Sequence, residues 1–250
     1  MKNFTLIAGP CAIEDDQVGF EIAEEVKSIC DDLSIDYIFK ASYRKANRSR
    51  NNSFTGIGDQ NALQIIKSIG REFDLSTITD VHESYEPKAV ADYVTHLQIP
   101  AFLCRQTELL LAAGNTGQFL SHEAMSFAVE KVASTGNKNV WVCERGNSFG
   151  YNDLIVDATS ITKLKKHKVP VIMDCTHAVQ KPNQTSGVTG GDQSLISSIV
   201  FSAVATGADG LFIETHPDPS KAKSDPHTML KLSELRGILE KAIKIRKAIK

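Results

Sequence analysis

The sequence lacks several features that mark specialised protein classes. Its 28 Lys and Arg do not outnumber its 30 Asp and Glu, so it has no basic excess of the kind a general nucleic-acid binder needs. It has no run of 18 apolar residues, and its N-terminus lacks a basic region followed by an apolar segment, so we expect neither a transmembrane helix nor a signal peptide. The five cysteines are odd in number and widely spaced, which indicates reduced thiols. We therefore expect a cytoplasmic protein without nucleic-acid or membrane partners.

The composition is that of an ordinary globular protein. Hydrophobic residues make up 42% of the chain and charged residues 23%, which excludes disordered, collagen-like and coiled-coil classes. The 250 residues are about what one β/α barrel needs, and no linker is visible. We predict one catalytic domain over residues 1–250.

Short apolar runs alternate with longer amphipathic stretches, which predicts strand–helix units and a parallel sheet. Predicted strands span residues 6–9, 37–40, 76–80, 96–99, 140–144, 171–174 and 210–214. Predicted helices span residues 18–33, 63–73, 107–113, 122–133, 158–165, 194–205 and 230–249.

Polar residues that could bind a ligand or take part in catalysis follow the predicted strands. This is where a β/α barrel carries its active site. They are Cys11, Lys40, Asp80, Arg105, Glu144, Arg145, His177 and Glu214. An open sheet would concentrate them near one switch point, and no glycine-rich dinucleotide loop follows the first strand. The pattern therefore favours a (β/α)8 barrel of the TIM type.

One strand of that barrel is missing from the pattern. The predicted strands at His96 and Val140 start 44 residues apart, whereas the other intervals are 20 to 39 residues. Two helical patterns fill this interval, and residues 114–120 between them contain only a two-residue apolar run. We count seven strands, and the fifth is absent.

Four potential metal ligands lie at or beyond the ends of separate strands: Cys11, His177, Glu214 and Asp225. One thiolate, one imidazole and two carboxylates suit a divalent transition ion such as Fe²⁺, Mn²⁺ or Zn²⁺. From the residues alone the signal is weak, because a cysteine after a strand is more often buried packing and His177 could be a hydrogen-bonded rim residue.

The cations are more informative. Lys40, Arg105 and Arg145 adjoin apolar strand ends, and several cations converging on one face suggest a small polyanionic substrate. For Lys45 and Arg50 taken alone, a solvated surface charge is the favoured interpretation.

Five stretches together resemble the 3-deoxy-D-manno-octulosonate 8-phosphate synthase family: residues 7–14, 39–49, 98–107, 144–151 and 214–217. The resemblance covers nearly the whole chain in order. It implies a β/α barrel, a homotetramer, and condensation of phosphoenolpyruvate with arabinose 5-phosphate and water for lipopolysaccharide synthesis. An aldol-like addition and the attack of an activated water on C2 would release phosphate, and no organic cofactor is implied.

The resemblance also implies roles for individual residues. The pentose phosphate would be bound by Lys45, Asn47, Arg48 and Ser49, and the other substrate groups by Lys40, Asp80, Gln98, Arg105 and Arg145. Lys40, Asp80 and His177 would be catalytic. Cysteine rather than asparagine at position 11 marks the metal-dependent branch, with Cys11, His177, Glu214 and Asp225 as ligands.

The chain departs from this family in two places. Gly117 runs directly into Gln118, where the family has about eight further residues that include a strand and a lysine for phosphoenolpyruvate. Asp192 stands after the two glycines of the glycine-rich loop, where the family often has an arginine. Either the strand is deleted or the sequence omits it. We predict a gap in space between residues 117 and 118, much longer than the roughly 3.8 Å between bonded Cα neighbours, which would indicate omission. Two other functions stay open: 3-deoxy-7-phosphoheptulonate synthesis from erythrose 4-phosphate, against which Asn47 argues, and a non-catalytic barrel remnant.

Overall fold

A computed structural model describes residues 3–46, 53–104, 106–113, 121–148, 153–181 and 190–249. The strands of this part are β1 (Thr5–Gly9), β2 (Asp36–Lys40), β3 (Ser76–Asp80), β4 (His96–Gln98), β5 (Val142–Glu144), β6 (Asn147–Ser148), β7 (Leu154–Ile155), β8 (Val171–Asp174), β9 (Gln180–Lys181), β10 (Gly190–Gly191), β11 (Gly210–His216) and β12 (Leu230–Lys231). The α-helices are α1 (Asp16–Leu33), α2 (Asp59–Glu72), α3 (Glu86–Val90), α4 (Thr107–Ala113), α5 (Met125–Ala133), α6 (Ser160–Leu164), α7 (Ile196–Ala205) and α8 (Leu232–Ala248).

The helices follow the pattern of apolar residues in the sequence, and α1 shows why they start and stop where they do. The Asp15 side chain accepts the backbone N–H of Val18 at 2.9 Å, which caps the first turn. Ser34 adopts a left-handed conformation with φ 56° and ends the helix. Val26 and Ile29, three residues apart, are fully buried on the face that packs against the sheet.

Seven parallel strands form the main sheet in the order β4-β3-β2-β1-β11-β8-β5. The first strand therefore lies beside β11, the last of the seven along the chain, which is the neighbour relation of a β/α barrel. β12 extends β11, and β6–β7 and β9–β10 form two small antiparallel pairs beside the sheet.

The sheet is curled, and its two faces bury different side chains. The concave face carries one apolar residue from each of five strands, and these five pack together: Ile7, Ile38, Ile78, Ile172 and Phe212. On β1, β2, β8 and β11 their sequence neighbours point the other way and join the larger core beneath the helices, whereas the neighbours of Ile78 are the buried Thr77 and Thr79. This alternation is the period of two that a strand buried on both faces produces.

The curled sheet has two edges, β4 and β5, and in the described residues neither has a strand on its outer side. The rings of His96, on β4, and Trp141, just before β5, lie 5.4 Å apart between centroids. We call this pair and the two edge strands the seam. Trp141 also packs against the concave-face cluster, so the seam borders the interior of the sheet.

All seven predicted strands of the sheet are confirmed. The helix α3 and the five short strands β6, β7, β9, β10 and β12 were not predicted. Closure of eight strands is not seen in the described residues, and the join of Gly117 to Gln118 lies outside them. No described helix is both long and apolar enough to cross a membrane.

Candidate functional site

The parallel strands of the sheet end at one rim, and their last residues or the following turns supply the polar groups of the candidate site. Lys40 ends β2, Asp80 ends β3 and Gln98 ends β4, while Glu214 lies within β11. Cys11 follows β1 and is held close to β2, because the backbone N–H of Ser42 donates to its carbonyl at 3.2 Å. The register of the sheet thus brings together residues that are far apart in the sequence.

A buried ion pair lies at the centre of the site. Lys40 Nζ donates to Glu214 Oε1 at 2.5 Å, and both side chains are almost fully shielded from solvent. Burial alone would raise the pKa of Glu214, but the charges of Lys40, His177 and Lys45 together outweigh it and hold that pKa well below its usual range. Glu214 is therefore ionised.

Three potential metal ligands meet beside this pair. One donor atom from each of Cys11, Glu214 and Asp225 lies within 4.8 Å of the others. Cys11 Sγ is 3.0 Å from Asp225 Oδ2 and 2.9 Å from Ser224 Oγ. Asp225 adopts a left-handed backbone conformation with φ 47°, which is uncommon for a residue with a side chain and often found at functional sites.

The fourth predicted ligand, His177, adjoins this group through Glu214. His177 Nδ1 is 2.7 Å from Asp174 Oδ2, and its Nε2 is 3.6 Å from Glu214 Oε2. Asp174 is itself fixed, because its Oδ1 accepts the backbone N–H of His177 at 2.9 Å. A carboxylate on one ring nitrogen leaves the other nitrogen directed at the cluster, as in many metal-binding histidines.

The donor set fits a divalent transition metal ion. Glu214 Oε2 is buried and has no hydrogen-bond partner among the described residues, and it faces His177 Nε2 at 3.6 Å. A buried carboxylate oxygen without a donor is costly unless a cation satisfies it. Burial and the charge of Glu214 raise the pKa of Cys11 well above its ordinary value, so the thiol keeps its proton until a cation displaces it.

A second group of polar atoms lies at the ends of β3 and β4. His82 Nε2 is 3.1 Å from Asp80 Oδ2. Burial would raise the pKa of Asp80, but His82 and Lys45 hold it well below its usual range. Asp80 Oδ1 and Gln98 Oε1 are buried without a hydrogen-bond partner in the described residues, so two acceptors face the pocket.

Two further cations face the cluster. Burial alone would lower the pKa of Lys45, and the charges of Cys11, Glu214, Asp80 and Asp225 raise it above its ordinary value. Lys45 is partly buried, and these four acidic groups lie close enough to shift its pKa. Burial lowers the pKa of Arg145, and its Nη2 donates to Gln180 Oε1 at 2.6 Å.

The structure thus brings together nine of the predicted site residues: Cys11, Lys40, Lys45, Asp80, Gln98, Arg145, His177, Glu214 and Asp225. Four predicted residues, Asn47, Arg48, Ser49 and Arg105, lie outside the described residues.

The sequence did not indicate the residues that hold the site residues or their backbone in place by hydrogen bonds. They are Arg44, His82, Glu86, Asp174 and Ser224. Asp174 and His177 are spaced three residues apart after a strand, as a ligand and its supporting carboxylate can be, and this spacing could have indicated the pair.

The fold and the site define an α/β protein whose parallel strands carry three kinds of group at their carboxyl ends. These are cationic side chains, hydrogen-bond acceptors without a donor, and a cluster of possible metal ligands. This arrangement suits the binding and conversion of small anions. A sequence profile described as the DAHP synthetase I family matches residues 2–250. The chain belongs to this family.

Curated relatives match the chain over almost its full length. A protein of Fusobacterium nucleatum is 45% identical over 257 positions, which cover 100% of this chain and 92% of the relative. A protein of Bartonella henselae is 44% identical, and the match covers 95% of this chain and 88% of the relative. A protein of Koribacter versatilis is also 44% identical, and the match covers 98% of this chain and 91% of the relative. All three are named 2-dehydro-3-deoxyphosphooctonate aldolase. The resemblance predicted from the sequence is confirmed.

The length of one alignment bears on the missing strand. The match to the Fusobacterium relative spans 257 positions, seven more than the 250 residues of this chain. At least seven residues of that relative therefore have no counterpart in the chain.

Proposed function

We propose that the protein catalyses the condensation of phosphoenolpyruvate with D-arabinose 5-phosphate and water to 3-deoxy-D-manno-octulosonate 8-phosphate and phosphate. This is the activity for which the relatives are named, under the alternative name 2-dehydro-3-deoxyphosphooctonate aldolase. The observation that carries the proposal is the convergence of Lys40, Lys45 and Arg145 with two orphaned acceptors on one rim. Two anionic, hydroxyl-rich substrates require both kinds of group.

The reaction joins C3 of phosphoenolpyruvate to the aldehyde carbon of the sugar, whose oxygen gains a proton. Water adds to C2 and loses a proton, and the C2–O bond to phosphate breaks. The cations hold phosphate and carboxylate groups of the two substrates so that the reacting carbons meet, a positional effect that can contribute several kcal/mol. Asp80 Oδ1 and Gln98 Oε1 accept sugar hydroxyls, and Asp80 stays ionised as it does so, because its pKa is held well below its usual range.

We further propose that Cys11, His177, Glu214 and Asp225 hold a divalent ion, Fe²⁺, Mn²⁺ or Zn²⁺. When bound, such an ion polarises an oxygen ligand and lowers the pKa of a coordinated water. The protein's own contribution is the orientation of the donors: Asp174 holds the His177 ring, and Lys40 holds Glu214 by its other oxygen. No organic cofactor is part of the proposal.

The full proposal is a (β/α)8-type barrel of one domain, which acts as a cytoplasmic homotetramer in lipopolysaccharide synthesis. The neighbour relation of β1 and β11 supports the barrel, and the odd number and wide spacing of the five cysteines support a reducing compartment. The two other functions are not favoured. The relatives named above carry the octonate name rather than a heptulonate one, and the polar groups of the described site are all in place.

A side-by-side assay tests the substrate. We expect phosphate release from phosphoenolpyruvate with arabinose 5-phosphate and little with erythrose 4-phosphate. Preference for the four-carbon sugar would indicate the sister synthase, and no turnover of either sugar by metal-loaded protein would indicate the remnant. An intact mass above 27.3 kDa would show that the chain is longer than its sequence.

Metal dependence is tested by removal and return of the ion. Chelation should abolish turnover, and Fe²⁺, Mn²⁺ or Zn²⁺ should restore it. Independently of activity, Mn²⁺ at about 100 times its Kd should stabilise the fold by about 2.7 kcal/mol. Cys11→Ala should lose most of this stabilisation, whereas Cys30→Ala, which removes a buried thiol remote from the cluster, should keep it. Full activity of chelated protein would contradict the metal proposal.

A further inference from the structure

Glu86 is a buried carboxylate behind the site, and the proposed reaction gives it no role of its own. It is 6% exposed and begins α3, directly after the turn that follows β3. Its Oε2 accepts the backbone N–H of His82 at 2.7 Å and that of Glu83 at 3.3 Å, and its Oε1 accepts the guanidinium of Arg44. Both oxygens of this carboxylate are therefore fixed.

Arg44 connects Glu86 to a second helix. Its Nη1 donates to Asp59 Oδ2 at 3.1 Å, and Asp59 is the first residue of α2. The guanidinium carbon also lies 5.6 Å from the centre of the Tyr43 ring. We call Glu86, Arg44 and Asp59 the Glu86 clamp. It holds the segment after β2 against the N-termini of two helices.

The Glu86 clamp adjoins two polar residues of the site, Lys45 and, through His82, Asp80. On one side, Arg44 is followed by Lys45, whose backbone N–H donates to the Thr55 carbonyl at 2.9 Å. On the other side, Glu86 fixes the backbone of His82, whose ring contacts Asp80. One carboxylate thus holds the chain next to a cation and next to an acceptor of the pocket.

We propose that Glu86 is a positioning residue that acts through Arg44 to hold Lys45 in the sugar-phosphate pocket. The inference rests on the proposed function, because it assigns the phosphate of the sugar to Lys45. A lysine side chain is long and flexible, so the direction of its ammonium depends on how firmly its backbone is fixed. The buried charge of Glu86 is matched by Arg44, and its loss would free Arg44 from the helices.

The test is a double-mutant cycle on Glu86→Gln and Arg44→Gln. Glutamine keeps an acceptor for the N–H groups of His82 and Glu83 but loses the charge that holds Arg44. We expect each variant to raise the KM for arabinose 5-phosphate about tenfold, the order of losing a charge-assisted contact, and to leave kcat and the KM for phosphoenolpyruvate nearly unchanged. The double variant should resemble either single variant, because both act through one contact.

A matched control is Arg236→Gln, which breaks the exposed pair of Arg236 with Asp32 at 2.9 Å between α8 and α1. It should change neither KM. A second readout needs no substrate: the rate at which acetic anhydride labels Lys45, followed by peptide mass spectrometry. Labelling should be several-fold faster in Glu86→Gln and Arg44→Gln than in the wild type or Arg236→Gln.

Three results would overturn the inference: equal rises in both KM values, losses that add in the double variant, or unchanged labelling of Lys45. A wild-type protein that does not convert the two substrates would instead overturn the proposed function. In that case the labelling of Lys45 still decides whether Glu86 positions it.

Discussion

Gly9 shows how tightly single residues are packed behind the site. A Cβ placed on Gly9 would lie 1.9 Å from the carbonyl oxygen of Lys40, a backbone atom that cannot move without shifting β2. Gly9 ends β1, two residues before Cys11, so this close approach sets the distance between the thiol and the Lys40–Glu214 pair. The position requires glycine for space.

Gly9→Ala should therefore destabilise the protein. We expect a loss of about 1–3 kcal/mol in the free energy of unfolding, the usual cost of overpacking, measured by urea denaturation. Gly237→Ala is the matched control, because Gly237 lies in α8 and a methyl group added there would have no atom within 4 Å. This control should gain about 0.5–1 kcal/mol from helix propensity. A neutral Gly9→Ala would show that β1 and β2 can separate freely.

Which residues could be predicted depends on how local their signal is. Lys40 and Glu214 were predicted because each is a charged residue in or at the end of an apolar strand. Glu86 gave no such signal, because it begins a helix of only five residues and its partner Arg44 lies 42 residues away in sequence. Contacts of this kind arise only when the sheet register brings β2 and β3 together.

Among the elements of the sheet, β4 is short and half-buried, and it carries the ring of His96. Burial lowers the pKa of His96 from its ordinary value of 6.5. The unfolded chain therefore takes up a proton at a higher pH than the folded protein does. Stability should be greatest above the unfolded pKa and should fall as the pH drops below it.

His96→Phe tests this pH dependence while keeping an aromatic ring against Trp141. Urea denaturation of wild type and variant between about pH 7.5 and 5.5 should show a steeper loss of stability in the wild type. The difference between the two slopes cannot exceed about 1.4 kcal/mol per pH unit, the limit for one proton. Equal slopes would mean that His96 titrates alike in the folded and unfolded states.

The elements differ in how well the sequence predicted them. The long helices α1 and α8 repeat their apolar residues over several turns, and the strands of the main sheet are continuous apolar runs, so both were found. The two-residue strands β6, β7, β9 and β10 contain too few residues for any period to show. They form because the chain after β5 and the chain after β8 each turn back and pair with themselves.

At the scale of the whole molecule, the seam is where the main sheet of the described residues ends without closing. β4 and β5 have three residues each and one neighbour each among the described residues, whereas β1 and β11 have five and seven residues and two or more neighbours. Strands with fewer partners open at a lower free energy than the strands in the middle of a sheet. The seam should therefore be the weakest part of the sheet.

Trp141 reports on this directly, because it is the only tryptophan of the chain and forms part of the seam. In urea we expect its fluorescence to change at a lower concentration than the far-UV circular dichroism, which follows the helices. Two transitions that do not coincide indicate an intermediate in which one part has opened. The control is Trp141→Phe with Phe20→Trp, which moves the reporter to α1, where Phe20 packs against Phe73 at 6.0 Å between ring centroids. Its fluorescence should follow the circular dichroism. If the wild-type signals coincide as well, the seam unfolds with the rest of the sheet, and the two edges are joined more firmly than the contact of His96 with Trp141 explains.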